Sequence, residues 1–163
     1  MRVLDTAALL YWPSSEISGG ICSLSQQAEL EKVSTQRYML VSSVDVDWRS
    51  VEPEWLELAR AAAADSGDLP RLSPVDLDVL ALAIGLNLPL YTDDYRLQNT
   101  VQKLGLQAIS VGTAGAKKIW KWQLCCTGCG SSEPVPADVE LTRKGSVKDC
   151  ADCGAPMVLK RAK

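Results

Sequence analysis

Residues 88–105, LPLYTDDYRLQNTVQKLG, are the stretch on which the reading of the fold turns. Leu88, Leu90 and Tyr91 make a short apolar run. Leu97, Val101 and Leu104 then recur at i, i+4 and i+7, the period of a helix, and Gly105 is a natural stop. The spacing therefore predicts a buried strand that delivers two adjacent carboxylates, Asp93 and Asp94, onto the first turn of a helix. Open parallel sheets bind ligands outside the carboxyl ends of their strands. Two acids at that edge have the chemistry to hold a divalent metal.

Working outward, Leu106–Val111 reads as a further strand, so strand, helix and strand form a βαβ unit with parallel strands and a right-handed crossover. Upstream, Ser73-Pro74-Val75-Asp76 is a helix start with a cap, a proline at the first position and an acid at the third. Asp76 is thus either a capping acid or a site acid. Glu52–Ala64 is a further helix, rich in alanine, with Asp65 and Asp68 expected to be exposed. Tyr38–Val44 fits a strand, and Pro13–Gly20 a loop. Ser25–Val33 is a helix carrying Glu29 and Glu31. These lie about 200° apart on a helical wheel and cannot face one site together. The chain opens with a very short strand ending in Asp5 and Thr6, where Asp5 is either a turn residue or a partner for Asp93 at the same edge. Five helices interleaved with four short strands give an α/β sandwich around a central parallel sheet.

The chain of 163 residues has no histidine. Ser-His and Cys-His nucleophiles, histidine acid–base pairs and histidine metal sites are therefore excluded, which leaves carboxylates with a metal as the credible catalytic machinery. Residues 1–113 carry a net charge of −7 and residues 114–163 a net +4. An acidic body with a basic appendage suits a nuclease whose tail finds phosphates, and equally a neutral adaptor. No apolar run approaches 18 residues and no signal-like start is present, so a cytoplasmic protein without membrane association is expected.

Five of the six cysteines fall in the last 39 residues. Cys126-Thr-Gly-Cys129 and Cys150-Ala-Asp-Cys153, with twenty residues between them, have the spacing of a tetrahedral zinc ribbon. All four positions are filled by protein, so one structural Zn²⁺ is expected, contributing folding energy on the order of 10 kcal/mol. Cys125 is expected to pack. Between body and ribbon, Trp120 and Trp122 alternate with Lys117, Lys118 and Lys121. They can stack on unpaired bases and neutralise phosphates, or the tryptophans can plug the junction. Lys144, Lys148, Lys160, Arg161 and Lys163 either extend a phosphate-tracking surface or are solvated. The expected organisation is a body at 1–113, a basic linker at 114–122 and a zinc ribbon at 123–163.

VLDT at residues 3–6, LSPVDLDVLALA at 72–83, TDDYRLQN at 92–99 and KKIWKW at 117–122, leading into CTGC and CADCG, resemble in that order the Nob-type PIN-domain endoribonucleases. The compact form resembles the archaeal members. The resemblance implies a PIN-like sandwich and an endoribonuclease that trims the 3′ end of the small-subunit (16S) ribosomal RNA precursor, with that RNA and the pre-ribosomal particle as partners. It implies metal-binding acids at Asp5, at the glutamate of the second helix, at Asp76 and at the Asp93–Asp94 pair. The family carries a proline and a β-branched residue before its second acid. This chain has SLSQQAELEKV instead, where Glu29 is the better match and Glu31 the reserve. A Mg²⁺ or Mn²⁺ held by Asp5, Asp76 and Asp94 would lower the pKa of an attacking water, leaving a 5′-phosphate and a 3′-hydroxyl. Two rival readings are a PIN toxin that cuts transfer or ribosomal RNA and a non-catalytic RNA-binding assembly factor.

Overall fold

The computed structural model of the chain describes residues 1–112 and 120–162. Among them, five parallel strands form a sheet in the order β3-β2-β1-β4-β5: β1 (Val3–Leu4), β2 (Ile21–Ser23), β3 (Asp47–Arg49), β4 (Leu90–Tyr91) and β5 (Ala108–Ile109). The helices are α1 (Thr6–Tyr11), α2 (Ser14–Ile17), α3 (Ser25–Val33), α4 (Thr35–Ser42), α5 (Pro53–Ser66), α6 (Pro74–Leu86) and α7 (Tyr95–Lys103). Successive strand residues face opposite sides, and here both sides are covered. Val3, Ile21 and Leu90 enter one apolar cluster with α5, α6 and α7, while Leu4 and Cys22 enter another with α1, α3 and α4. This is the two-faced burial that parallel sheets require.

The stretch at 88–105 folds as its periodicity indicates. β4 runs into α7, Leu97 and Val101 are buried, and Gly105 ends the helix with φ +75°. Leu104 instead lies past the last helical turn and is 46% exposed. The polar residues Gln98, Asn99 and Thr100 are buried beside the leucine.

Three expectations are corrected. Tyr38–Val44 is not a strand: Tyr38–Ser42 belongs to α4, whose cap Ser34 accepts a hydrogen bond from the Arg37 amide at 3.2 Å. Only Val41 of that apolar run is buried, so the run is one stripe of a helix rather than a strand buried on both faces. The missing strands are β2 and β3, three residues each. The Pro13–Gly20 segment, expected as a loop, contains the single turn α2.

A second, antiparallel sheet has the order β7-β6-β9-β8: β6 (Trp122–Cys126), β7 (Ser132–Glu133), β8 (Lys148–Asp149) and β9 (Pro156–Arg161). It does not stand apart from the first. Leu124, Val135, Val139, Val147 and Met157 share an apolar cluster with Ala59, Ala63, Leu69 and Leu80 of the body. Arg60 donates to the carbonyls of Ala137 and Val139, both at 3.2 Å, and Arg71 donates to Thr142 O at 2.8 Å and Gly145 O at 2.6 Å. Gly67, with φ +83°, lets the end of α5 approach Trp122, whose carbonyl would collide with any Cβ there.

Candidate active site and cysteine centre

Asp5 follows β1 directly and caps α1, its carboxylate accepting the Thr6 amide at 2.7 Å. Leu4 pairs with Tyr91 across the parallel ladder, so the residues one step further along, Asp5 and Thr92, meet at the sheet's carboxyl edge. The Thr92 hydroxyl donates to Asp5 Oδ2 at 2.6 Å and accepts the Asp94 amide at 3.0 Å. Asp94 caps α7 through the Arg96 amide at 2.8 Å. Asp76 sits in a reciprocal capping box, accepting the Ser73 amide at 2.7 Å while Ser73 Oγ accepts the Asp76 amide at 3.1 Å. On α3, Glu29 Oε2 accepts the Thr6 hydroxyl at 2.5 Å, whereas Glu31 is exposed.

These acids act on one another. Asp5 is 7% exposed, and its pKa is raised to about 7, first by burial, against the Thr92 hydrogen bond, and further by the charges of Asp76 and Asp94. Asp76 is also raised, first by burial, against its Ser73 hydrogen bonds, and then by Asp94 and Glu29. Like charges gathered in a poorly solvated place disfavour their own ionisation, and a hard cation with oxygen ligands reverses that cost. The donor set fits such an ion. Among the described residues no three carboxylates converge as tightly as the four thiols discussed below. A small divalent cation that keeps part of its water shell needs only one or two direct carboxylates.

Asp93 departs from the expected site. Its Oδ1 accepts the Val111 amide at 2.9 Å, and its two oxygens accept the Gly112 amide at 3.3 and 3.1 Å. This carboxylate ties the end of β4 to the segment after β5, because side chains of consecutive residues leaving a strand point to different sides. The structure therefore brings Asp5, Glu29, Asp76 and Asp94 into mutual electrostatic reach and gives Asp93 a scaffolding contact.

Several residues escaped the sequence reading. Thr6 and Thr92 orient the acids. Gln26, wholly buried, accepts the Ser23 amide at 2.8 Å and donates to Leu4 O at 3.1 Å and Thr6 Oγ1 at 3.4 Å, bracing the first and second strands beneath the site. The adjacency of Thr6 and Thr92 to acids in VLDT and TDDY was the available signal. Asp68, expected exposed, is 3% exposed, and burial above all raises its pKa to about 6. It accepts Asn99 Nδ2 at 2.5 Å and feels the charges of Arg96 and Asp94.

The four cysteine sulfurs of the second sheet lie within 4.8 Å of one another, with Cys126 and Cys153 at 3.4 Å and Cys129 and Cys150 at 3.7 Å. Four thiolates about 2.3 Å from a tetrahedral ion would be separated by about 3.8 Å, so the cluster suits a metal. The Gly128 amide donates to Cys126 Sγ at 3.3 Å, and Ser131 Oγ lies 3.2 Å from Cys129 Sγ and 3.5 Å from Cys150 Sγ, contacts that favour thiolates. Cys125 stays outside the cluster.

Of the residues expected to touch RNA, Lys117 and Lys118 lie outside the described residues. Lys121 is exposed and pairs with Asp65 at 3.6 Å, and Trp122 is half-buried in β6. Trp120 carries the Arg161 guanidinium over its ring, 3.3 Å from the centroid. Lys160 and Arg161 are exposed, while Lys148 pairs with Glu133 at 2.5 Å.

Comparison with known proteins adds a family. The family described as "PIN domain of ribonuclease" matches residues 3–86. A protein of Methanothermobacter thermautotrophicus named Endoribonuclease Nob1 is 36% identical over 114 residues, which are 68% of this chain and 62% of that protein. One of the same name from Pyrococcus abyssi is 39% identical over 124 residues, 74% of this chain and 69% of that protein. Ribonuclease VapC1 of Thermoplasma acidophilum is 32% identical over 153 residues, 93% of this chain and 74% of that protein. The chain thus spans under two thirds of the first relative and more than two thirds of the other two.

Proposed function

This chain belongs to the PIN-domain ribonuclease family, and from that premise we propose that it is a divalent-metal-dependent endoribonuclease that trims the 3′ end of the small-subunit ribosomal RNA precursor within the pre-ribosomal particle. The observation that best supports the chemistry is the gathering of Asp5, Glu29, Asp76 and Asp94 at one sheet edge, with Asp5 and Asp76 each perturbed by other carboxylates. The likeness to two archaeal proteins named Endoribonuclease Nob1 supports RNA cleavage, and the substrate rests on the Nob-type resemblance of the TDDYRLQN and CTGC…CADCG stretches.

Asp5, Asp76 and Asp94 would hold the ion, with Mg²⁺ or Mn²⁺ favoured by an all-oxygen donor set. When bound, the cation supplies charge neutralisation at the phosphate and a more acidic water for in-line attack. Thr92 keeps Asp5 aimed into the site, and Thr6 holds one oxygen of Glu29. Glu29 is then placed to take the proton of the attacking water. The new water oxygen–phosphorus bond forms as the bond from phosphorus to the 3′ oxygen breaks, and that oxygen leaves with the bonding electron pair and takes a proton from solvent water, ending as a 3′-hydroxyl opposite a 5′-phosphate. No histidine is present to activate the 2′-hydroxyl, in keeping with hydrolysis by water. The four cysteines take Zn²⁺, which thiolates favour, in a closed structural site.

Incubating the purified chain with Mn²⁺ and an RNA spanning the small-subunit 3′ end, then mapping the products, tests the proposal. One cut at the mature end, leaving a 5′-phosphate on the downstream fragment, is expected. No cleavage of any such RNA would overturn the enzyme, and cleavage only of other RNAs would overturn the substrate.

A further inference from the structure

Two consecutive polar side chains of the TDDYRLQN stretch are buried on α7 and take no part in the chemistry above. Gln98 is spent within the sheet edge, donating to Thr92 O at 2.6 Å and Ser110 Oγ at 3.1 Å. Asn99 reaches the other way. Its Oδ1 accepts the Trp120 amide at 2.6 Å, and its Nδ2 donates to Trp120 O at 2.8 Å and to Asp68 Oδ2 at 2.5 Å. Both polar groups of Trp120's backbone are thereby fixed to one side chain that is 4% exposed. A buried amide that directs two of its three bonds at the backbone of a residue 21 positions away is a costly feature unless that residue's location matters.

That location follows from the helix. Asn99 lies five residues beyond Asp94, about 7.5 Å along the axis at 1.5 Å per residue. Asp68, its other partner, feels the charge of Asp94. The Trp120 backbone is therefore anchored to the same helix that presents Asp94, about one and a half turns further along it. Above it the Arg161 guanidinium lies against the indole, and Arg161 is itself exposed. A guanidinium plane backed by an aromatic ring is a platform for an unpaired base, and its charge suits the adjoining phosphate.

We propose that Asn99 is a positioning residue: by gripping both polar groups of Trp120 it fixes the Trp120–Arg161 platform at a set reach from the acid cluster and so selects which phosphodiester bond is cut. The inference rests on the ribonuclease reading and concerns a single-stranded RNA whose base stacks on Arg161. Asn99 holds the platform in register and touches neither the RNA nor the ion.

Asn99→Ser separates this role from simple stability. A serine side chain is too short to span the Trp120 peptide, while Asp68 keeps its contact with Ser66. With the same RNA and Mn²⁺, the variant should keep RNA affinity within about threefold while kcat falls by up to about 100-fold, the effect of misplacement near 1 Å. Its cuts should spread from one bond to neighbouring bonds. Arg161→Ala, at an exposed position, should lose affinity and also scatter the cuts, and it carries the test should Asn99→Ser melt the fold. If both folded variants, or Arg161→Ala where it alone folds, cut the same single bond as the unaltered chain, the positioning role is wrong and the ribonuclease stands. If the unaltered chain cuts nothing, the ribonuclease reading falls and takes this inference with it.

Discussion

Because Asp94 caps α7 within reach of Asp5 and Asp76 while Asp93 accepts the Val111 and Gly112 amides, substituting these neighbours separates chemistry from scaffolding. Asp94→Asn keeps a good helix cap and should lower cleavage by about 100-fold or more with little change in stability. Asp93→Asn should retain most activity and cost about 1 kcal/mol, read in urea unfolding. Equal losses of activity in the two variants would contradict this division.

Asp68 makes a second prediction at the same scale. Burial holds its folded pKa near 6, above the ordinary 3.8, so between those values the folded chain keeps a proton that the unfolded chain has released. Its contribution, on the order of 3 kcal/mol, is fully present below about pH 4 and is lost as pH rises to about 6. The stability difference between the unaltered chain and Asp68→Asn should change by that amount over the window, in unfolding midpoints measured from pH 4 to 7. Parallel curves would contradict it. Asp5, Asp76 and Asp94 were legible in sequence because each stands at a strand end or a helix start, where local rules already expect an acid, whereas Glu29 sits mid-helix and only the resemblance singled it out. Asp68 was not, because a lone acid after Gly67 carries no periodic or capping signal. Which of Asp93 and Asp94 turns inward depends on where the segment after β5 returns, information that 88–105 does not contain.

At the scale of elements, helices with strong caps and long apolar stripes could be read directly, α6 and α7 above all. The errors fell on short pieces. β2 and β3 are three residues each, and β3 reads Asp-Trp-Arg, with no apolar pattern to mark it. Apolar YMLV in α4 is compatible with strand or helix until its neighbours are known. The cysteine spacing marked the four thiols that the second sheet brings together but not the setting of that sheet. Val135, Val139, Val147 and the carbonyl partners of Arg60 and Arg71 lie in a loop without a motif, yet they join it to α5 and the turn after it. Removing metal from the cysteines should therefore weaken the helical body as well. Chelation, with Mn²⁺ absent throughout, is expected to lower the thermal midpoint of the helical circular-dichroism signal by at least ~5 °C, the shift that about 2 kcal/mol produces in a chain of this size. An unchanged helical midpoint would show that the two sheets fold independently.

For the molecule as a whole, the charge is divided, −7 over residues 1–113 and +4 over 114–163. Since an acidic body repels a polyanion, RNA approach is expected from the basic side. The shared apolar cluster holds the second sheet against α5 and α6, so the second sheet and the edge that carries the acids belong to one packed unit. Acids from four separate stretches of the chain are expected to act together on a phosphodiester. Asp76→Asn tests this most directly, because an asparagine can still accept the Ser73 amide and leave the helix cap intact while one charge is removed from the cluster. With Mn²⁺ and an RNA spanning the small-subunit 3′ end, the unaltered chain should cut once, and the variant should bind the RNA within a few-fold and leave it intact. Cleavage by Asp76→Asn at the unaltered rate would mean that the acids do not act together.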